Sequence, residues 1–329
     1  MNVFSITRAA HIEFRVTDLA RARAFYVDVL GFVERDRDAD RLYLGGLEER
    51  EHHGLVLRKA ESAGVSHLAF RVADPDDLDR LETLYRRQGC FTRWVEPGME
   101  RGQGRALRAQ DPTGLPLEFY HEMERREWML QRFDRYRGAN IMRLDHFNVQ
   151  VPDVQAANDW FMQTLGFWCS ELTQTDDDPP KLWAAWLHRK QNVHDIAVMN
   201  GIGPRLHHAG FWLADQASVL RACDVLAAAG YADSIERGPG RHGISNAFFV
   251  YIRDPDGNRI ELYTSDYMIP DPDWAPIRWD LNDPRRATFW GHKPPASWFD
   301  EAALVESIET GELLPTSPPP LADRPDFVT

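Results

Sequence analysis

The chain carries one pattern written twice, and this duplication limits the possible folds more than any other feature. HIEFRVTDLARARAFYVDVLGF, starting at His11, resembles HFNVQVPDVQAANDWFMQTLGF, starting at His146. In both, a Gly-Phe pair begins 20 residues after the histidine. HLAFRVADPDDLDRLETLYRRQG at His67 matches HAGFWLADQASVLRACDVLAAAG at His208, and each reaches a glycine 22 residues on. DPTGLPLE, ending at Glu118, matches DPDGNRIE, ending at Glu261. Each half therefore reads as strand, helix, strands, then strand, helix and hairpin. That makes four βαβββ modules, two to a half, of class α+β.

Local chemistry supports these elements. In the second copy Asp153 stands where an N-cap belongs, Val154, Ala157, Trp160, Phe161 and Leu165 share a helical face, and Gly166 ends the helix. Residues 246–253 are rich in β-branched and aromatic side chains, as a strand requires. The turn Asp254-Pro255-Asp256-Gly257 has proline preset for its second position and glycine free to take positive φ. In the next strand Glu261 shares a face with Arg259 and Tyr263, opposite Ile260 and Leu262. Two readings of that carboxylate are open: an edge strand facing solvent, or a metal.

The expected organisation is an N-terminal domain without an active metal site (1–122), a connecting segment (123–143), a catalytic metal-binding domain (144–264) and a Pro-rich C-terminal extension (265–329). Residues 121–143 are highly charged and predict partial helix. Residues 264–296, rich in Pro, Trp and Arg, predict ordered irregular structure. Ser297 is placed to cap a helix from Trp298 to about Thr310, with Asp300 at the capping-box position and Gly311 beyond its end. From Pro315 on, an extended and mobile terminus is expected.

With 329 residues there is room for two domains, each with its own core. The net charge of −13 argues against nucleic acid or an anionic membrane as partner. A small anionic substrate would then need a local patch of Arg or Lys. Cys90, Cys169 and Cys223 have no paired spacing and predict reduced thiols. No apolar run reaches the length of a bilayer span, and MNVFSITRAAHIEF lacks a signal-peptide pattern, so the expected location is the cytoplasm.

Both halves hold His, His and Glu at matching points: His11, His67 and Glu118, then His146, His208 and Glu261. Two imidazoles and a carboxylate from three strands can coordinate one face of an octahedral divalent ion and leave the other face open. A single histidine is more often a surface or hydrogen-bonded core residue; three at repeat-equivalent positions weaken that reading, though shared ancestry alone would also preserve them. The halves differ around the triad. Asn148 follows His146 by two residues, where the first half has Glu13. His242 and Tyr251 correspond to Met99 and Arg108. His194 and His53 each stand 14 residues before the second histidine and do not discriminate. Groups suited to proton transfer thus remain only in the second half, which is the expected metal site. Ordinary roles compete for the surrounding residues: a core aromatic for Tyr251, a solvent loop for His242, acidic surface partners for Arg285 and Arg286. His207 is expected on the opposite strand face, as a structural residue.

The paired modules with His, His and Glu resemble the vicinal oxygen chelate superfamily, with its barrel-like domains, and the fuller pattern resembles its type I extradiol ring-cleaving catechol dioxygenases. HDIAVMNGIGPRLHHAGFW, ERGPGRHGISNAFFVYIRDPDGNRIELY and DPRRATFWG are similar to the branch acting on homoprotocatechuate (3,4-dihydroxyphenylacetate). The likeness covers nearly the whole chain, tail included. It implies His146, His208 and Glu261 as ligands of Fe(II) or Mn(II), and His194 as the acid/base residue beside the oxygen site. It implies His242 and Tyr251 as catalytic neighbours, Asn148 as a substrate contact, and Arg237, Arg285 and Arg286 as candidates for a substrate carboxylate. Trp183 or Trp186 would line the pocket, and Trp298 would reach it from the tail. The implied reaction is cleavage of the catechol by O2 to 5-carboxymethyl-2-hydroxymuconate semialdehyde, in a homotetramer. The alternatives are a different catechol, or a metal-free binding module of the same fold; the complete triad with His194 argues against the latter.

Overall fold

The computed structural model describes residues 4–327. The first half contributes β1 (Ile6–Val16), β2 (Val33–Arg37), β3 (Arg41–Gly45), β4 (Leu55–Lys59), β5 (Gly64–Val72), β6 (Thr92–Val95), β7 (Ala106–Gln110) and β8 (Pro116–Tyr120). Helix α1 (Leu19–Arg23) follows β1, and α2 (Asp76–Arg87) follows β5. The second half repeats the series with β9 (Ile141–Val151), β10 (Trp168–Gln174), β11 (Leu182–His188), β12 (Ile196–Asn200), β13 (Arg205–Leu213), β14 (Ile235–Arg241), β15 (Phe248–Arg253) and β16 (Arg259–Thr264). Here α3 (Val154–Asp159) follows β9 and α4 (Gln216–Ala228) follows β13. The tail adds β17 (Ile277–Asp280), α5 (Pro284–Ala287), α6 (Ser297–Asp300) and β18 (Ala303–Leu304).

The duplication is exact in topology. The first sheet runs β2-β3-β4-β1-β5-β8-β7-β6; the second runs β10-β11-β12-β9-β13-β16-β15-β14, with β17 added beside β10 and β18 beside β13. In each sheet the two long strands are antiparallel neighbours at the centre, and each has a parallel partner on its outer side. The first helices also match. Asp18 caps α1 by accepting from the Ala20 and Arg21 amides, and Asp153 caps α3 by accepting from Ala156. Both continue into a wider π-helical turn, Ala24–Val29 and Trp160–Thr164. Both stop near a glycine with positive φ, Gly31 (85°) and Gly166 (79°).

Strand alternation divides the second sheet's side chains between two environments. Phe248, Val250, Ile252, Ile260 and Leu262 join the main core. Phe249, Tyr251 and Tyr263, which alternate with them along the strands, join a separate aromatic cluster with Trp183, Trp186 and Trp298. Tyr251 on β15 and Trp186 on β11 line the same cavity, yet five strand-to-strand steps separate them. A flat sheet would hold them about 24 Å apart. The sheet therefore curls into the barrel-like cup expected, with the cavity inside. The main core lies outside the cup and runs through both halves. Phe70 meets Phe147 and Phe167, Tyr85 meets Trp160, and Phe32 meets Phe211, with ring centroids 5.0–5.7 Å apart.

Three expectations need correction. Residues 121–143 form only one short helical turn, Phe133–Arg135; the start of the stretch is instead held extended, with Met123 bridged to Gln103 and Arg125 to Glu51. The tail helix begins at Ser297, whose hydroxyl donates to Glu236 instead of capping, and it ends at Asp300 instead of near Thr310, because the next residues extend into β18 and pair with β13. The proline-rich end runs extended as expected but is tied down. Ser317 and Gly203 exchange backbone hydrogen bonds, and the carbonyls of Leu321 and Asp323 accept from Asn200 and Trp183. All three cysteines are free. Among the described residues no helix is long and apolar enough to cross a membrane.

Candidate metal centre

His146 on β9, His208 on β13 and Glu261 on β16 converge at the base of the cup. His146 Nε2 lies 3.3 Å from His208 Nε2 and 3.0 Å from Glu261 Oε2, and His208 Nε2 lies 3.3 Å from the same oxygen. Adjacent donors on an octahedral ion with bonds of about 2.1 Å stand about 3.0 Å apart, so the triangle fits one octahedral face. All three side chains are buried; Glu261 is 3% exposed, which removes the solvent-facing reading. Burial alone would raise the Glu261 carboxyl, but the two imidazoles hold it well below the usual range. Burial would likewise lower His146, yet its hydrogen bonds to Asp145 and Glu261 carry it up to about 9. Burial dominates at His208 and takes it down to about 4. The triangle is thus a place where a proton or a cation is wanted.

Both imidazoles are oriented from behind. His146 Nδ1 lies 3.3 Å from Asp145 Oδ2, so Nδ1–H donates and Nε2 keeps its lone pair. Asp145 is itself fixed by the Tyr263 hydroxyl at 2.5 Å and by Asn192. His208 Nδ1 lies 2.7 Å from His207 Nδ1, and His207 Nε2 lies 2.8 Å from the Trp298 carbonyl. A carbonyl only accepts, so His207 Nε2 carries its proton and His207 Nδ1 is an acceptor. His208 Nδ1–H must then donate, which leaves His208 Nε2 free for an ion. His207 is therefore not on the far strand face, where strict alternation put it. Leu206 pairs with Val149 and His208 with Asn148, so His207 is the extra residue of a bulge and its ring meets that of His208.

A cavity of about 70 Å³ opens above the triangle. Asn148, Trp183, Trp186, His194, Arg237, His242, Tyr251, Arg286 and Trp298 all line it. The His194 ring lies 4.0 Å from that of His146, and burial keeps it neutral, well below the usual imidazole value. His242 Nδ1–H donates to the Ala287 carbonyl, so its Nε2 accepts from the Tyr251 hydroxyl at 2.9 Å. Burial, then the charge of Arg237, takes His242 down to about 3, so this pair is also neutral. Asn148 Oδ1 has no partner. Arg237 donates to the Ala287 carbonyl and the Thr288 hydroxyl, and Arg286 to the Leu281 carbonyl. Among the described residues neither guanidinium has an ion-pair partner, and burial pulls them down to about 10 and about 9. Two buried cations that rest on the Trp298 and Trp183 rings without a paired carboxylate mark a place for an anion. Arg285 is not part of it. Its side chain is exposed and paired with Asp283 at 2.7 Å, because neighbours on the single turn of α5 point in different directions.

Asp145 and the role of His207 were not predicted. A comparison of the halves would have flagged both, since Ala10 and Ser66 stand at the matching places.

Residues 8–119 and 143–262 match the model of the Glyoxalase/Bleomycin resistance protein/Dioxygenase superfamily. The structure is similar to a variant of homoprotocatechuate 2,3-dioxygenase from B. fuscum in complex with HPCA. The identity is 42% and the TM-score 0.94, covering 98% of this chain and 88% of that one. It is also similar to homoprotocatechuate 2,3-dioxygenase from Arthrobacter globiformis, with 44% identity and a TM-score of 0.91, covering 96% and 98%. In sequence it is 34% identical over 298 residues to the manganese-dependent 2,3-dihydroxybiphenyl 1,2-dioxygenase of Geobacillus genomosp. 3, covering 87% of this chain and 93% of that one. With the duplicated domain matched in each half and the likeness running nearly end to end, the chain belongs to the Glyoxalase/Bleomycin resistance protein/Dioxygenase superfamily, in its extradiol dioxygenase branch.

Proposed function

We propose that the chain cleaves 3,4-dihydroxyphenylacetate by the extradiol route with O2, giving 5-carboxymethyl-2-hydroxymuconate semialdehyde. The observation that carries this reading is the pairing of an open His-His-Glu face with two buried, unpaired arginines in one cavity. His146, His208 and Glu261 hold Fe(II) or Mn(II). A divalent ion held by these three residues would supply Lewis acidity toward the catechol hydroxyls and leave room for both catechol and O2. The substrate carboxylate meets Arg286 or Arg237, and the Trp183 and Trp298 rings flank it. Asn148 meets a ring oxygen or O2 with its free amide. His194, neutral at pH 7, is equipped to take a proton and return it later beside the oxygen site. Tyr251 and His242 hold a neutral hydrogen-bonded pair against the other side. On this reading residues 144–264 carry catalysis, 265–329 complete the pocket, 1–122 serve as scaffold, 123–143 connect them, and the chain assembles as a homotetramer.

The test is a panel of catechols with Fe(II)- or Mn(II)-loaded protein, read by the yellow of the semialdehyde. Arg286→Gln should raise KM for 3,4-dihydroxyphenylacetate about 10–100-fold, the loss of one charge-assisted hydrogen bond, and leave KM for 4-methylcatechol within about twofold. Equal changes for both would remove the carboxylate assignment. Preference for a bicyclic catechol would replace the substrate while keeping the reaction.

A further inference from the structure

We propose that Arg108 is the resident cation of the first half, and that its guanidinium closes a divalent-metal site that its removal would reopen. The first half keeps a second set of donors in nearly the same geometry. His11 Nε2 lies 3.2 Å from His67 Nε2 and 3.1 Å from Glu118 Oε1, and all three side chains are fully buried. These two edges fall within the 3.0–3.3 Å of the second half, while the third is longer: His67 Nε2 lies 3.6 Å from the other carboxylate oxygen, Glu118 Oε2, and Glu118 Oε1 also accepts from Gln103. The difference lies one strand away. Arg108 faces Glu118 across β7 and β8 in the register that sets Tyr251 against Glu261.

From that position Arg108 does what an ion would do. Its Nε donates to Glu118 Oε2 at 2.6 Å, its Nη2 donates to Glu100 Oε1, and the same Nη2 lies 3.5 Å from His67 Nε2. Three of the four groups that could hold an ion are thus tied to one protein cation. The charge account points the same way. Glu13, the other carboxylate nearby, is taken by Arg41 and Arg58. That leaves Glu100 and Glu118 against a single guanidinium, with Glu100 Oε2 unpartnered. A divalent ion would balance the two carboxylates in full. Removing one partner from so buried a set leaves uncompensated charge, which drives the capture of a replacement cation. The reopened site should be weaker than the second-half site. Ala10 stands where Asp145 orients the other pair, so His11 Nδ1 has no partner, and Ser66 in the place of His207 offers His67 Nδ1 only a 3.3 Å hydroxyl contact.

Equilibrium dialysis against Mn(II), with elemental analysis, would count ions per chain in the wild type, Arg108→Tyr and Arg108→Met, each alone and with Glu261→Gln. The Arg108 variants should bind about one more ion per chain than their parents in both backgrounds, with affinity about 10–100-fold below the wild-type site. Mn(II) should raise Tm for an Arg108 variant carrying Glu261→Gln and not for Glu261→Gln alone. Because each count is read against its parent, the result does not depend on the second-half site. Folded Arg108 variants that bind no additional ion would overturn the proposal, as would a wild type that already fills the first half. If a variant purifies unfolded, refolding that Mn(II) fails to promote counts against it equally.

Discussion

At the scale of single residues, the most instructive position is His207. It touches no cavity group that must react, yet it decides which nitrogen of His208 is free. The Trp298 carbonyl fixes the proton of His207, and His207 fixes the proton of His208. Replacing His207 with Phe keeps an aromatic ring beside Trp298 and removes the acceptor. Mn(II) affinity, measured by titration of the metal-free protein, should fall about 10–100-fold. At saturating metal kcat should change little, since the reacting groups stay in place. Unchanged affinity would show that metal binding alone selects the tautomer. The residue also shows where reading the chain succeeds and fails. His146, His208 and Glu261 were legible because a duplicated sequence supplies its own comparison. His207 was misplaced because alternation assumes an unbroken strand, and a bulge adds one residue. The first half has the same bulge at Ser66, where Val65 pairs with Phe14 and His67 with Glu13.

At the scale of elements, the second sheet is completed by a strap from the tail. Arg259 on β16 is buried and bonds in three directions: to Glu236 on β14, to the His207 carbonyl, and to the carbonyls of Ser297 and Glu301. Glu236 also accepts from Arg253 and from the Ser297 hydroxyl. This network holds α6, and with it Trp298, over the cavity. Burial would raise Glu236, but the hydrogen bonds of Arg259 and Arg253 outweigh it and take the carboxyl from 4.5 down to about 2. A folded value below the unfolded one gives stability that is present above pH 4.5 and lost as pH falls toward 2. Because Glu236 is only partly buried, solvent screening reduces the full shift to about 1–2 kcal/mol. Glu236→Gln should therefore be less stable than wild type in urea at pH 6, and the gap should narrow by about pH 3.5. A gap that stays constant with pH would mean the loss is one of packing. The sequence did not reveal this strap. Local capping signals at Ser297 favour a longer helix, but the first residues of β13, Arg205 and Leu206, run past the end of β16 and are open to the following residues, and pairing there wins.

At the scale of the whole molecule, the two halves share too much to act as independent units. The main core draws on both, and its interfacial rings come from matching helices and strands of each copy. Polar ties cross as well. The Ala9 amide donates to Asp195 at 2.7 Å, close to His194, and the Tyr26 hydroxyl donates to Asp254 in the turn that leads to Glu261. Separating the copies would expose these groups together, so the structure predicts one cooperative unfolding transition. Metal binding is then felt far from the metal. An ion held only by the native state, at about 100 times its Kd, adds about 2.7 kcal/mol to every amide that exchanges through global unfolding. Hydrogen exchange should therefore slow about 100-fold on adding Mn(II), in the slowest amides of β1 and β5 as much as in β9 and β13. Protection confined to the second half would mean that the halves open separately, and that the first serves as a detachable support instead of part of one folding unit. A uniform response would explain why a copy with its own metal site closed by Arg108 is kept: its packing helps hold the other copy's three donors within one coordination face.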